Sequence, residues 1–195
     1  MKRRITTIIV CISFFYSAQC QNFGLRGNME FSNTQRINNA KGVGVYFDLA
    51  DSSKKIELLF SGDYCKYKKI FSEKGFESDY LRYYFSINCF YVLYRSQKLK
   101  IRIGTFLNHS TIDAGDDGLI STWINSYKSK YVGTGLTCNL QFQKIFNLPI
   151  NFDIFASPTY LINIKNESNP TGIKSEYADN LKILNMQFGL SYIIK

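Results

Sequence analysis

"SDYLRYYFSINCFYVLYR" (78–95) alternates between two kinds of residue. Leu81, Tyr83, Phe85, Ile87, Tyr91 and Leu93 share one parity, and Arg82, Tyr84, Ser86 and Asn88 fill the other. Successive side chains of a strand point to opposite faces, so as a strand this stretch has one apolar face and one polar face.

The same period of two recurs along the chain. Eight segments carry it, at roughly 22–32, 42–50, 54–66, 78–94, 98–108, 129–143, 150–163 and 181–194. In the first, Phe23, Leu25, Met29 and Phe31 oppose Arg26, Asn28, Glu30 and Ser32. In the third, Ile56, Leu58, Phe60 and Tyr64 oppose Glu57, Ser61 and Asp63, with Leu59 as the exception. In the last, Met186, Phe188, Leu190, Tyr192 and Ile194 oppose Asn185, Gln187, Gly189 and Ser191. Pro158 interrupts the seventh, and a residue without an N–H predicts a bulge or a lost ladder bond there. No capped amphipathic helical run of useful length accompanies these strands.

The connections alternate too. Segments 2–3, 4–5 and 6–7 are joined by short turns, and 1–2, 3–4, 5–6 and 7–8 by longer polar stretches. Short turns at one end and long loops at the other are the habit of outer-membrane barrels. An even number of strands places both termini on the short-turn, periplasmic side.

The beginning of the chain fits export. Lys2, Arg3 and Arg4 precede the apolar "ITTIIVCISFFYSA" (5–18), which reads as a cleaved signal peptide over residues 1–20, leaving a single domain over 21–195. The alternative of a lipidated Cys20 is opposed by Gln19, where such sites need a small residue. Beyond residue 20 no apolar run approaches the ~18–20 residues of a membrane helix. Cys65, Cys89 and Cys138 remain, an odd and widely spaced set that suits neither a disulfide framework nor zinc. The formal net charge of +9 falls by three when the leader's basic residues are removed. The remaining surplus is spread rather than clustered, which argues against nucleic acid. The 16 Phe and 14 Tyr, in a chain of mean hydropathy near zero, point to side chains at an apolar–aqueous boundary.

A soluble lipocalin-like barrel would turn the apolar parity inward around a ligand. Its outer parity would then be rich in long charged residues. Here the polar parity is crowded with Gly44, Gly104, Gly133, Gly135, Gly189, Ser61, Ser86, Ser157 and Ser191, which suit a narrow interior. Among them stand Arg26, Arg82, Lys100 and Arg102 against Glu30, Asp48, Glu57, Asp63 and Asp153, a near-balanced set expected to form lumen salt bridges. A charge on the lipid face costs ~2–4 kcal/mol at the midplane, and the apolar parity carries none in mid-segment. Lipid offers no hydrogen bonds, so the first strand must pair with the last. The expected fold is an all-β, eight-stranded antiparallel up-and-down transmembrane barrel.

In two stretches the pattern meets known proteins. "QFGLSYII" (187–194) resembles the C-terminal signal by which outer-membrane barrels are recognised for insertion, with Gln187, Gly189, Tyr192 and Ile194 at its positions. "YLRYYFSINCFYVLYRSQKLKIRIGTFLN" (80–108) resembles the central hairpin of the outer-membrane β-barrel domain proteins common in Bacteroidetes, the PorT-like group and the small OmpX-like barrels. Ile87 to Tyr94 and Gly104 stand at its positions, and Asn88-Cys89 replace the usual Ile-Pro. The resemblance implies a Gram-negative outer membrane, with its lipid, its lipopolysaccharide and its barrel-assembly machinery as partners.

Three stretches invite a site. "NHSTID" (108–113) holds the chain's one histidine, His109, beside Ser110 and near Asp113, the residue types of a lipid A hydrolase. A base must reach its nucleophile, and neighbouring strand residues point apart, so His109 is expected at a loop entry without a catalytic role. "DAGDDG" (113–118) spaces its acids unlike a calcium loop, and no metal or other cofactor is expected. "KYKKIFSEK" (66–74) sets Lys66, Lys68, Lys69 and Lys74 at the outer mouth, where contact with lipopolysaccharide phosphates and an ordinary solvated loop are equal expectations. The expected function is a structural, adhesive or accessory barrel, not an enzyme and without a wide pore. The alternatives are the lipid A-modifying hydrolase and the soluble lipocalin-like binder.

Overall fold

The computed structural model describes residues 22–32, 39–50, 54–71, 76–114, 127–167 and 180–194. The leader over 1–20 and most of the acidic stretch 113–118 lie outside them. Eight strands follow in order: β1 (Asn22–Ser32), β2 (Ala40–Leu49), β3 (Ile56–Phe71), β4 (Phe76–Arg95), β5 (Leu99–Ala114), β6 (Tyr127–Phe142), β7 (Ile150–Glu167) and β8 (Leu181–Ile193). Each pairs antiparallel with its neighbours in sequence, and β1 pairs with β8 to close the barrel.

The register fixes the shape. Paired residues followed once around the wall run from Asn22 through Asp48, Leu59, Asn88, Phe106, Gly135, Thr159 and Ile183, and return to β1 at Ser32, ten residues further on. With a rise of ~3.3 Å per residue and strands ~4.8 Å apart, that stagger tilts the strands by about 40°. An eight-stranded barrel of this tilt is just wide enough for its own side chains.

The strands begin and end near their expected places at the short-turn end and overrun them at the other. β3 continues to Phe71 and β4 begins at Phe76, so much of the expected long 3–4 connection is a paired hairpin. β5 likewise continues to Ala114, where 108 was expected. His109 therefore sits within a strand and not at a loop entry, because Phe85 and Val132 pair with it on either side. At Pro158 the pairing with β6 passes from Gly135–Thr159 to Cys138–Ala156 in one register, so of the two expected outcomes there is no bulge. Bulges occur elsewhere, in β4 between Val92 and Tyr94 and on the β6–β7 ladder at Lys130/Tyr131. The 6–7 connection contains a short 3-10 turn, Ile145–Asn147, with Lys144, Phe146 and Asn147 in the left-handed region.

The two faces separate as the alternation requires. On β4 the outward Tyr83, Phe85, Ile87, Tyr91 and Leu93 are all exposed, while Arg82, Tyr84, Ser86, Asn88 and Phe90 are buried inside. Leu25 and Leu136 are 61% and 62% exposed on β1 and β6. From Tyr83 to Leu93 the outward run climbs about 25 Å at the rise and tilt above, the height of a bilayer-facing band. The lumen is filled in layers. Tyr46, Leu59, Phe90 and Phe155 form an apolar cluster within it, which accounts for Leu59 as the parity exception. A second cluster, including Ile112, Tyr131, Leu161, Leu181 and Ile183, fills the end from which the long connections leave.

Closure rests on eleven β1–β8 pairs, Asn22–Ile193 through Ser32–Ile183. Deleting residues 188–195 removes the pairs from Gly27–Phe188 to Asn22–Ile193 and opens a sheet edge. The truncated chain is expected to give no compact, heat-modifiable species on an unboiled gel.

Candidate functional site

The chemistry of this barrel is concentrated inside it. Alternation aims the charges of β1, β2, β3, β4, β5 and β7 at the lumen, where Arg102 is fully buried and all nine charged residues expected there are enclosed. They form two groups.

In the group toward the short turns, Arg102 Nη1 donates to Asp48 Oδ2 at 2.7 Å and to Glu57 Oε2 at 2.8 Å. Its Nε donates to Asn139 Oδ1 at 2.8 Å, its Nη2 lies 3.8 Å from Asp153 Oδ1, and its plane sits over Phe90 at 4.7 Å. Lys100 Nζ reaches Glu57 Oε2 at 3.1 Å. Asp153 accepts from Tyr46 Oη at 2.7 Å, Ser191 Oγ at 3.0 Å, Gln141 Nε2 at 3.0 Å and Asn139 Nδ2 at 3.2 Å. Asp153 thus meets four side-chain donors.

In the second group Arg26 grips Asp63 with two parallel bonds, Nε to Oδ1 at 2.8 Å and Nη2 to Oδ2 at 2.5 Å, and also donates to Ser61 Oγ. Asn28 Nδ2 adds a bond of 2.8 Å to Asp63. Arg82 Nη1 donates to Glu30 Oε1 at 2.6 Å, the Tyr67 hydroxyl donates to Glu30 Oε2, and the guanidinium lies 4.2 Å over the Tyr84 ring. Arg82 thus takes Glu30 on β1 as its carboxylate. Gly44 makes the Arg26–Asp63 pair possible, because a Cβ there would collide with the Asp63 carboxylate.

One member was not foreseen. Arg95 lies on the outward parity of β4, yet its Nη2 donates to Glu57 Oε1 at 2.5 Å. The bulge between Val92 and Tyr94 reverses the parity beyond it, leaving Tyr94 exposed and turning Arg95 to the lumen. Arg95 makes five cations facing five carboxylates. A small void in the lumen, between Tyr84, Phe106, Asn108, Thr159 and Asn185, measures about 20 Å³, which is room for a single water.

The remaining candidates divide differently. Gln187 faces inward and donates to the Tyr84 hydroxyl at 3.2 Å, Gly189 lies against the Tyr46 ring, and Tyr192 and Ile194 are exposed outside. His109 is outward and Ser110 is buried inside, so the wall stands between them. Lys66 is exposed on β3, while Lys74 lies outside the described residues. Among the described residues no group of three His, Cys, Asp or Glu is placed to hold a metal.

Solved structures share this architecture. Neisserial surface protein A matches with 16% identity over 89% of this chain and 95% of its own, at a TM-score of 0.51. The attachment invasion locus protein Ail of Yersinia pestis, in complex with the heparin analogue sucrose octasulfate, matches with 15% identity over 89% and 96%, at 0.52. The outer membrane protein OprG of Pseudomonas aeruginosa matches with 11% identity over 90% and 97%, at 0.54. At such identities the likeness is one of fold. No protein-family model matches the chain, and no curated protein does.

Removing one partner of a buried pair strands the others. Arg102→Met leaves Asp48, Glu57 and Asp153 short of their shared cation, and the expected loss is about 3–5 kcal/mol. Urea unfolding in lipid vesicles, followed by tryptophan fluorescence and gel mobility, measures it. A variant as stable as the parent would show that the network holds nothing together.

Proposed function

We propose that the chain is a small barrel of a Gram-negative outer membrane, of the Bacteroidetes PorT-like or OmpX-like kind, serving a structural, adhesive or accessory role. It works without catalysis and without a wide pore. One observation carries the reading: the inversion of faces, with an apolar band about 25 Å tall outside and ten neutralising charges inside. A soluble binder needs the opposite arrangement.

An attachment role is supported by the overrun of β3 to β7. β3 extends past its last pair with β2, Lys41–Lys66, and β7 past its last pair with β8, Leu161–Leu181. The longest strands therefore stand beyond the band on the long-loop side, where a partner can reach them. Attachment is what the name of the Yersinia barrel says of that protein. The filled lumen argues against a channel, since two ion-pair groups and two apolar clusters occupy it. Assembly follows the same logic: in this reading Gln187, Gly189, Tyr192 and Ile194 are presented to the assembly machinery before β8 closes on β1.

The reading predicts recovery in detergent-extracted outer membranes, and recovery from soluble periplasm would defeat it. Single-channel recording is expected to show little conductance. His109→Ala should leave lipid A acylation unchanged, because the wall separates His109 from Ser110. Mass spectrometry of lipid A from cells expressing each form decides this, and a loss of acyl-chain removal in the variant alone would favour the hydrolase.

A further inference from the structure

The three connections at the short-turn end are unlike one another. In sequence the 2–3 connection holds "DSSKK" (51–55) and the 4–5 connection "SQK" (96–98), all of them polar. The 6–7 connection runs through Lys144, Ile145, Phe146, Asn147, Leu148 and Pro149 instead. Phe146 is 90% exposed, more than any other large hydrophobic residue among those described, and Leu148 is half exposed. Neither is used in packing the barrel, so the turn ends in an apolar tip that serves nothing inside the molecule.

The backbone holds this tip in one shape. Lys144, Phe146 and Asn147 have φ of 52°, 53° and 60°, and among the described residues they are the only non-glycine ones in the left-handed region, which a residue with a Cβ adopts at a cost. Such a conformation persists where its surroundings fix it. Here the Asn147 N–H donates to Lys144 O and the Leu148 N–H to Ile145 O, each at 3.0 Å, and the Lys144 N–H donates to Asn151 Oδ1 at 3.2 Å. Pro149 O accepts from the Ile193 N–H at 2.8 Å, which ties the turn to the strand that closes the barrel.

The strands on either side set its level. Phe142 of β6 is exposed outside and pairs with Phe152 of β7, their rings stacked at 6.3 Å, and Tyr192 of β8 is exposed beside them across Ile150. These rings form the edge of the apolar band. Lys144 stands two residues beyond Phe142, about 5 Å nearer the periplasm at the rise and tilt above, and the headgroup layer on each side of a bilayer is about 5–7 Å thick. The tip is therefore level with headgroups and continuous with the band.

We propose that the 6–7 turn is a membrane-surface anchor, with Phe146 and Leu148 inserted between the headgroups and upper acyl carbons of inner-leaflet phospholipid. The inference rests on the membrane reading above and adds to it a hold on one side of the barrel only, since the other two short connections have no apolar side chain to insert. Apolar groups placed at this boundary bind a lipid surface by the area they bury. A soluble periplasmic protein fits less well as the occupant, because the tip adjoins a band that lipid already covers.

The test uses the full chain folded into phosphatidylcholine vesicles whose acyl chains carry bromine either near the headgroup or near the bilayer centre. Trp123→Phe removes the chain's one tryptophan, and Phe146→Trp, Leu148→Trp and Gln97→Trp are each made in that background as fluorescent reporters. At 146 and 148 the expected result is emission at shorter wavelength than that of tryptophan in water, with greater loss of intensity to the shallow bromine than to the deep one. The reporter at 97 should emit as in water and lose little to either. Heat-modifiable gel mobility certifies each barrel as folded, and should Phe146→Trp not fold, Leu148→Trp decides alone. Water-like emission from the turn would overturn the anchor and give the tip to a periplasmic protein. Equal quenching at 97 would overturn it too, since tryptophan itself and not the turn would then be seeking the lipid, and so would greater quenching by the deep bromine. None of these outcomes touches the barrel's membership of the membrane, which fractionation tests separately.

Discussion

A closed ring of eight strands encloses a filled lumen, and among the described residues five basic and five acidic side chains are paired within it. Their mutual neutralisation is the condition on which the rest of the structure depends. A charge left alone in such a place costs several kcal/mol, so the positions of Arg26, Arg82 and Arg102 dictate where the carboxylates must be. Arg102 on β5 is served from β2, β3 and β7. Arg26 on β1 reaches Asp63 on β3, and Arg82 on β4 reaches Glu30 on β1. These bonds cross the lumen, and therefore hold strands at a fixed separation as well as in register. A paired buried charge is weak evidence of net stability compared with an apolar core. What it supplies is discrimination, because a strand slipped by one residue would turn its charges out of the barrel.

The wall and the filling are fitted to each other. Inward glycines stand where the filling comes closest, as at Gly44 against Asp63 and Gly189 against the Tyr46 ring. The Tyr46 hydroxyl then spans to Asp153, tying an aromatic layer to the ionic one. Phe155 meets Tyr46 edge-on at 5.7 Å, and the Arg26 guanidinium lies near both rings. Polar and apolar layers are thus stacked along the axis and are not segregated as core and surface.

Much of this is legible in the sequence because a strand has a period of two and a barrel has only two faces. Parity alone assigns Phe85 to the outside and Ser86 to the inside, and the even count of segments orders the ends. What parity misses has local causes. Arg95 escaped because a bulge, unmarked by Gly or Pro in "YVLYR", shifts the alternation by one residue. The polar residues of "NHSTID" resemble a connection and suggest a loop entry at His109, although the backbone there is paired on both sides. Ile112, Leu161, Leu181 and Ile183 are apolar on the inward parity, since at that end the lumen is stoppered by hydrocarbon instead of salt bridges. Which carboxylate serves which arginine depends on the stagger of ten residues around the ring, a quantity no single segment contains.

The division of faces also governs how such a sequence drifts over generations. Outward positions such as Leu25, Val43, Leu136 and Ile162 ask only for hydrocarbon, and one apolar side chain replaces another there at little cost. Inward charges can change only in company, since Glu57 answers to Arg95, Lys100 and Arg102 at once. Different sets of pairs can meet the same demand for neutrality, so one ring of strands is open to sequences that share few residues. A likeness of shape therefore needs little likeness of letters, as with the solved barrels at 11–16% identity.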